Sequence, residues 1–212
     1  DKLPRVGEES WDSISSADGM VGFGGSSGKL VYKNSMSDVN YAVSYMNQGS
    51  AANADGVGSS GSEGSSMDIS GDFSPADGLT VWAGYGKRGS TGVSGDDDTQ
   101  STAAVNYAMG MITVGVQQSL LQEGDTGGTD QKMLGLGISV SINENLSVSW
   151  NERETTFDAA TATDVDAKTT GVGIAYTMGS MSITAQRNEG DNLGGVASVS
   201  DEDTEIAVAF AF

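Results

Sequence analysis

The stretch Met133-Leu134-Gly135-Leu136-Gly137-Ile138-Ser139-Val140-Ser141-Ile142 decides the fold class. Leu134, Leu136, Ile138, Val140 and Ile142 occupy every second position, and Gly135, Gly137, Ser139 and Ser141 stand between them. Side chains of an extended chain point alternately to opposite faces, so a period of two describes a strand with one apolar face and one small, wettable face. The alternation recurs in Leu146, Val148 and Trp150 against Ser147, Ser149 and Asn151, and in Val172, Ile174, Tyr176 and Met178 against Gly171, Gly173, Ala175 and Thr177. Ile112, Val114 and Val116 against Thr113, Gly115 and Gln117 repeat it, as does the final run Glu205-Ile206-Ala207-Val208-Ala209-Phe210-Ala211-Phe212.

Extending this reading along the chain predicts strands near 27–35, 39–48, 66–74, 79–87, 99–109, 111–121, 131–142, 145–155, 167–178, 181–189 and 203–212. Short turns at Met36 to Asp38, Pro75 to Gly78, Met109 to Met111, Asn143 to Glu144 and Met178 to Ser180 alternate with longer loops at 49–65, 88–98, 122–130, 156–166 and 190–202. Such loops are uncommon in a compact soluble domain, but one rim of a membrane barrel is built of them.

A soluble β-sandwich also alternates, so the chemistry of the polar face decides. That face is mostly Gly, Ser, Thr, Ala and Asn, residues that stay wettable without filling a pore, where a solvated sheet would carry Lys, Glu and Arg. The segments are also longer than the five or six residues common in sandwiches, and suit a tilted crossing of the hydrocarbon layer. Aromatic residues fall near strand ends, as Tyr45, Phe73, Tyr85, Tyr107, Trp150, Tyr176, Phe210 and Phe212 do, where interfacial girdles form. Trp82 departs from the scheme, because its parity puts it with Thr80 and Gly84 on the polar side.

Composition removes whole classes of activity. The 212 residues include no Cys and no His, which excludes disulfide frameworks, thiolate or imidazole metal sites, and Ser-His or Cys-His nucleophile pairs. With 29 acidic and 10 basic side chains the formal charge is −19, which argues against nucleic acid as a partner. No apolar run is long enough for a transmembrane helix, so a membrane role must come through strands.

Leu30-Val31-Tyr32-Lys33-Asn34-Ser35, followed by Val39-Asn40-Tyr41-Ala42-Val43-Ser44-Tyr45, resembles the strand pair after the constriction loop of the trimeric general diffusion porins of Gram-negative outer membranes. The terminal alternation ending in Phe212 resembles that family's C-terminal strand, and the likeness covers about residues 20–212. The resemblance implies an all-β, antiparallel transmembrane β-barrel of sixteen strands in the complete protein, of which this chain supplies about eleven, the sixth to the sixteenth. An open edge in lipid leaves backbone groups unpaired at several kcal/mol each, so the other five strands are expected before Asp1, for a total of about 300 residues. Residues 1–25 then form part of the pore-constricting loop, and 26–212 the strands with short periplasmic turns and long acidic extracellular loops.

The resemblance also implies a function: a water-filled channel for passive diffusion of small hydrophilic solutes and ions, with cation preference and no enzymatic activity. Glu8, Glu9, Asp12 and Asp18 are the candidate constriction carboxylates, against the competing reading of a solvated acidic stretch. Lys29, Lys33 and Arg153 are the candidate pore-lining cations, Arg153 alternatively a rim residue. Lys87 and Arg88 adjoin an outer loop. Partners implied are two further copies in a homotrimer, outer-membrane lipid, and the barrel-assembly machinery reading Phe212. No cofactor is expected, although hard carboxylate oxygens at Asp96, Asp97 and Asp98 suit Ca²⁺, against diffuse attraction of counterions. The alternative functions are a structural or adhesive outer-membrane barrel with acidic surface loops, and a soluble acidic β protein.

Overall fold

The computed structural model describes residues 2–7, 14, 29–46, 65–89, 95–124, 127–160 and 162–211. Among them lie eleven strands: β1 (Lys29–Met36), β2 (Val39–Met46), β3 (Ser66–Ala76), β4 (Leu79–Arg88), β5 (Asp98–Met109), β6 (Ile112–Gln122), β7 (Thr129–Ser141), β8 (Leu146–Ala159), β9 (Val165–Met178), β10 (Met181–Asp191) and β11 (Ser200–Phe210). Each pairs antiparallel with the next in one continuous sheet whose edges are β1 and β11. This meander puts all the tight turns at one rim and the longer connections at the other.

Local chemistry explains the tight rim. Ser37, Gly78, Gly110 and Gly179 take positive φ of 54°, 74°, 60° and 61° in two-residue connections, the backbone that twist-matched hairpin turns demand. The β7–β8 turn uses a side chain instead, with Asn143 Oδ1 accepting from the backbone N–H of Asn145 at 2.9 Å and of Leu146 at 3.0 Å. Near Pro75, which offers no N–H to a ladder, the β3–β4 register shifts between Phe73 and Ala76.

The two faces are inverted relative to a water-soluble sheet. Leu134, Leu136, Val172, Ile174, Val208, Phe210 (57% exposed) and Ile206 (69% exposed) point outward. Inward lie buried Gln117, Ser119, Ser149, Gln186, Asn188, Asn151 (4% exposed) and Thr169 (2% exposed). Leaving a Leu, Ile or Phe side chain in water forgoes about 1.5–3 kcal/mol, so this outer band requires apolar surroundings. A soluble sandwich would bury these residues, and that expectation fails here.

The outer ends depart from the sequence reading. β8 runs on to Ala159, β9 starts at Val165, β10 reaches Asp191 and β11 starts at Ser200, so the connections expected at 156–166 and 190–202 are shorter. There the outward face turns polar at Thr156, Asp166, Glu189 and Glu202, and periodicity of outward apolar residues ends before the ladder does. Polar pairs hold them: Thr156 Oγ1 of β8 donates to Asp166 Oδ1 of β9 at 2.7 Å, and Arg187 of β10 bridges Glu189 on its own strand at 3.0 Å and Glu202 of β11 at 2.7 Å.

Candidate functional site

The inner face carries two features, a charged cavity and a strap of chain. The cavity, of about 960 Å³, lies against β1 to β6 and is lined by Lys29 and Lys33, by Asp68 and Asp72, and by Trp82 and Gln100. Asn40 Nδ2 donates to Asp72 Oδ2, and Ser44 Oγ to Asp68 Oδ2, both at 2.9 Å. Deeper along the wall Thr102 and Ser119 hydroxyls lie 2.8 Å apart, with Gln117 Nε2 donating to Thr102 Oγ1 at 3.3 Å.

The strap is residues 2–7, which cross the strands on this inner face. The backbone N–H of Lys2 donates to Gln117 Oε1 of β6 at 2.9 Å, and Asn106 Nδ2 of β5 donates to the Lys2 carbonyl at 2.7 Å. Farther on, the Val6 N–H donates to Ser149 Oγ of β8 at 2.8 Å, and Gly7 lies against Gln186 of β10. Between these anchors the wall lacks side chains: Pro4 packs against Gly115 and Gly137, Leu3 against Gly135, and the Val6 carbonyl against Gly173. A Cβ at Gly137 would stand 3.0 Å from Pro4 Cδ, so the close approach depends on glycine there. Pro4 suits the place, because it brings no N–H that needs a partner.

Trp82 is thereby accounted for. It pairs with Asp72 and Ala104 at inner-face positions, and Lys2 Nζ lies 5.9 Å from its ring centroid, within cation–π reach.

A small apolar cluster sits inside this polar surface. Leu193 (2% exposed), from the connection between β10 and β11, is buried with Leu3 and Ile14. The connection is a folded structure: Asn192 (φ 53°) donates from Nδ2 to the Asp166 carbonyl at 2.9 Å and accepts at Oδ1 from the Ser198 N–H at 2.9 Å. Leu193 N–H donates to the Val199 carbonyl at 3.0 Å, and Gly195 packs on Phe157.

The residues singled out from sequence separate into three groups. Lys29 and Lys33 line the cavity, and Arg153 faces inward and is 5% exposed. Glu8, Glu9, Asp12 and Asp18, with Phe212, lie outside the described residues. Asp97 and Asp98 are at the outer rim with cations of β4. Lys87 Nζ is 2.6 Å from Asp97, while Arg88 Nε and Nη2 reach Asp98 Oδ2 at 3.0 and 2.5 Å, and the Gly124 N–H reaches Asp98 Oδ1 at 2.9 Å. Among the described residues no group of three or more His, Cys, Asp or Glu could hold a metal ion, and Lys87 and Arg88 pair with two of the three carboxylates considered for Ca²⁺.

Sequence reasoning overlooked Asp68, Asp72 and Gln100 on the inner face, although strand parity was enough to find them. It also overlooked Leu193, for which a loop offers no periodicity.

A continuous antiparallel meander with apolar residues outward, polar residues inward and a strap of chain inside defines the wall of a transmembrane β-barrel. The chain matches the Gram-negative porin family over residues 6–195 and belongs to that family, which places it in the outer membrane. None of the curated proteins matches its sequence. Among solved structures it is similar to OmpT, an outer membrane protein of Vibrio cholerae, with 15% identity and a TM-score of 0.64 over 86% of this chain and 63% of that one. An anion-selective porin from Comamonas acidovorans gives 16% and 0.65 over 87% and 59%, and the outer membrane channel DcaP of Acinetobacter baumannii gives 11% and 0.67 over 94% and 68%. The chain thus spans about three fifths of the Vibrio and Comamonas structures, and at these identities the likeness is one of fold.

Proposed function

We propose that this chain is the larger part of a trimeric diffusion channel that passes small hydrophilic solutes and prefers cations. The observation that carries the reading is the inversion of the two faces, with buried Ser149, Asn151 and Thr169 inside and exposed Ile206, Val208 and Phe210 outside. Such a wall sorts solutes by width and by field and performs no bond chemistry. In this reading residues 1–25 belong to the constricting loop, the strap at 2–7 is its anchored part, and Glu8, Glu9, Asp12 and Asp18 bring carboxylates to the narrow point. Lys29, Lys33 and Arg153 are the wall cations near it, and Phe212 is the signal for insertion. A trimer form is known for the Vibrio protein of the same fold, which supports three copies here.

The Comamonas porin of the same fold is anion-selective, so side chains and not architecture set the sign. The charge of −19 supports cations. Reversal potentials across planar bilayers under a salt gradient test this. Cations should be favoured most at low salt, because the screening length falls from about 10 Å at 0.1 M to about 3 Å at 1 M. Changing Glu8 and Glu9 together to Gln should weaken the preference far more than neutralising Asp96, Asp97 and Asp98, two of which are balanced by Lys87 and Arg88. Anion preference in the wild type, or equal losses from the two variants, overturns the assignment.

A further inference from the structure

A trough of small residues crosses the inner wall from β2 to β5. Ala42, Ser70, Gly84 and Thr102 follow one another in the register, and all four line the cavity. Two residues toward the tight rim stands a ridge of larger groups, Asn40, Asp72 and Trp82, while two residues toward the outer rim Asp68 faces the gap at Gly86. Positions four apart in a strand are separated by about 13 Å, so the two aspartates border the trough on opposite sides. Glycine keeps the floor low between them: a Cβ at Gly84 would stand 3.2 Å from Thr102 Cγ2 and 3.6 Å from Ser70 Cβ.

Asp72 and Trp82 are direct partners across β3 and β4, and residues so placed have Cβ atoms about 5 Å apart. One small solute therefore meets a carboxylate and an indole together. Asn40 Nδ2 holds Asp72 through Oδ2 at 2.9 Å, and Ser44 Oγ holds Asp68 through Oδ2 at 2.9 Å, so each carboxylate is positioned through one oxygen and presents the other. Ser70 is exposed between them. Lys2 of the strap approaches the same indole, its Nζ 5.9 Å from the ring centroid, and with Lys2 in place Trp82 is still half-buried and part of the cavity surface. With Lys2, Lys29 and Lys33 against Asp68 and Asp72 the cavity is close to charge balance, so contact and not net charge selects the solute.

We propose that this trough is a binding subsite for neutral oligosaccharides in transit, one pyranose ring laid against Trp82 with hydroxyls turned to Asp72 and Ser70, and a following ring reaching Asp68. A pyranose carries C–H groups on its faces and hydroxyls around its rim. It suits an aromatic surface and a carboxylate standing side by side, where a simple ion uses only the carboxylate and an apolar solute only the indole. The inference also gives Trp82, the one large aromatic that departs from the outward pattern, a reason to face water. It rests on the channel reading above and deepens it by naming a solute class.

The test uses the purified channel in planar bilayers, with maltotriose as probe and a polyethylene glycol of the same mass as a neutral solute of similar bulk. Maltotriose should interrupt the KCl current at concentrations where the glycol does not. Trp82→Ala, and separately Asp72→Ala, should raise the half-blocking concentration about fivefold, within the range for loss of one aromatic or one hydrogen-bonded contact. Trp82→Phe should retain most of the block, and the open current of each variant reports that it has folded and inserted. Equal block by both solutes, or block indifferent to these substitutions, overturns the subsite. A wild type that conducts KCl and ignores maltotriose overturns this inference alone, whereas a wild type without current overturns the channel reading as well.

Discussion

Gly115 of β6 and Gly137 of β7 lie directly opposite each other in the register, and Pro4 packs against both. A bare patch two strands wide is therefore the seat of the inner strap. Neither glycine has positive φ among the backbone exceptions, so the reason for glycine there is proximity and not conformation.

Gly137→Val should accordingly displace the strap and break the bond from the Val6 N–H to Ser149 Oγ, at an overpacking cost of about 1–3 kcal/mol. Single-channel recording should show a changed unit conductance. Leu136→Val, one position away on the lipid-facing side, should leave it where it was. Identical conductance in Gly137→Val and the wild type would show that the strap does not depend on this seat.

Leu193 ties the outer connection to the strap through Leu3 and Ile14. Leu193→Ala removes most of its apolar contact, and a buried Leu truncated in this way typically costs about 2 kcal/mol or more. The loss should be local, because the strand ladder is untouched. Proteolysis of intact cells should cut the variant faster between 192 and 199, while the thermal stability of the barrel hardly moves. Unchanged cleavage would mean that the connection is held by Asn192 and Phe157 alone.

Most of the strand order was legible in the sequence because lipid on one side and water on the other enforce the same period of two in every strand. The reading weakened where that pressure stops. Above the lipid band Thr156, Asp166, Glu189 and Glu202 continue the ladder with polar side chains on the outward face, and nothing in apolar periodicity marks them as strand. The inward placement of Lys29, Lys33 and Arg153 followed from parity, and Asp68 and Asp72 obey the same rule. The seat of the strap did not follow: Gly115, Gly137 and Gly173 read as small inner residues, and only tertiary contact shows that they accommodate Pro4 and Val6. Trp82 looked anomalous for the same reason, since its partner Lys2 is distant in sequence.

At the outer rim Asp98 receives two nitrogens of Arg88 on one oxygen and the Gly124 N–H on the other. Asp98→Asn should destabilise this corner by about 1–2 kcal/mol, as hydrogen bonds to a charged group are worth roughly 1.5–3 kcal/mol and the amide keeps part of them. EDTA should not change the thermal stability of the wild type, since Lys87 and Arg88 already neutralise Asp97 and Asp98. A lower melting temperature in EDTA that Ca²⁺ restores would contradict this.

One face of the sheet meets lipid and the other water, and cysteine accessibility measures this directly. The sequence contains no cysteine, so each introduced thiol is read without background. Single cysteines at Ser182, Thr184, Ala207 and Ala209, paired as inner-face neighbours across β10 and β11, should react with a charged, water-soluble maleimide in intact outer membranes. Cysteines at Ile183, Ala185, Ile206 and Val208, one step away on the other face, should be spared. Alternation of labelling from residue to residue is the predicted result, and uniform labelling along either strand would contradict the account.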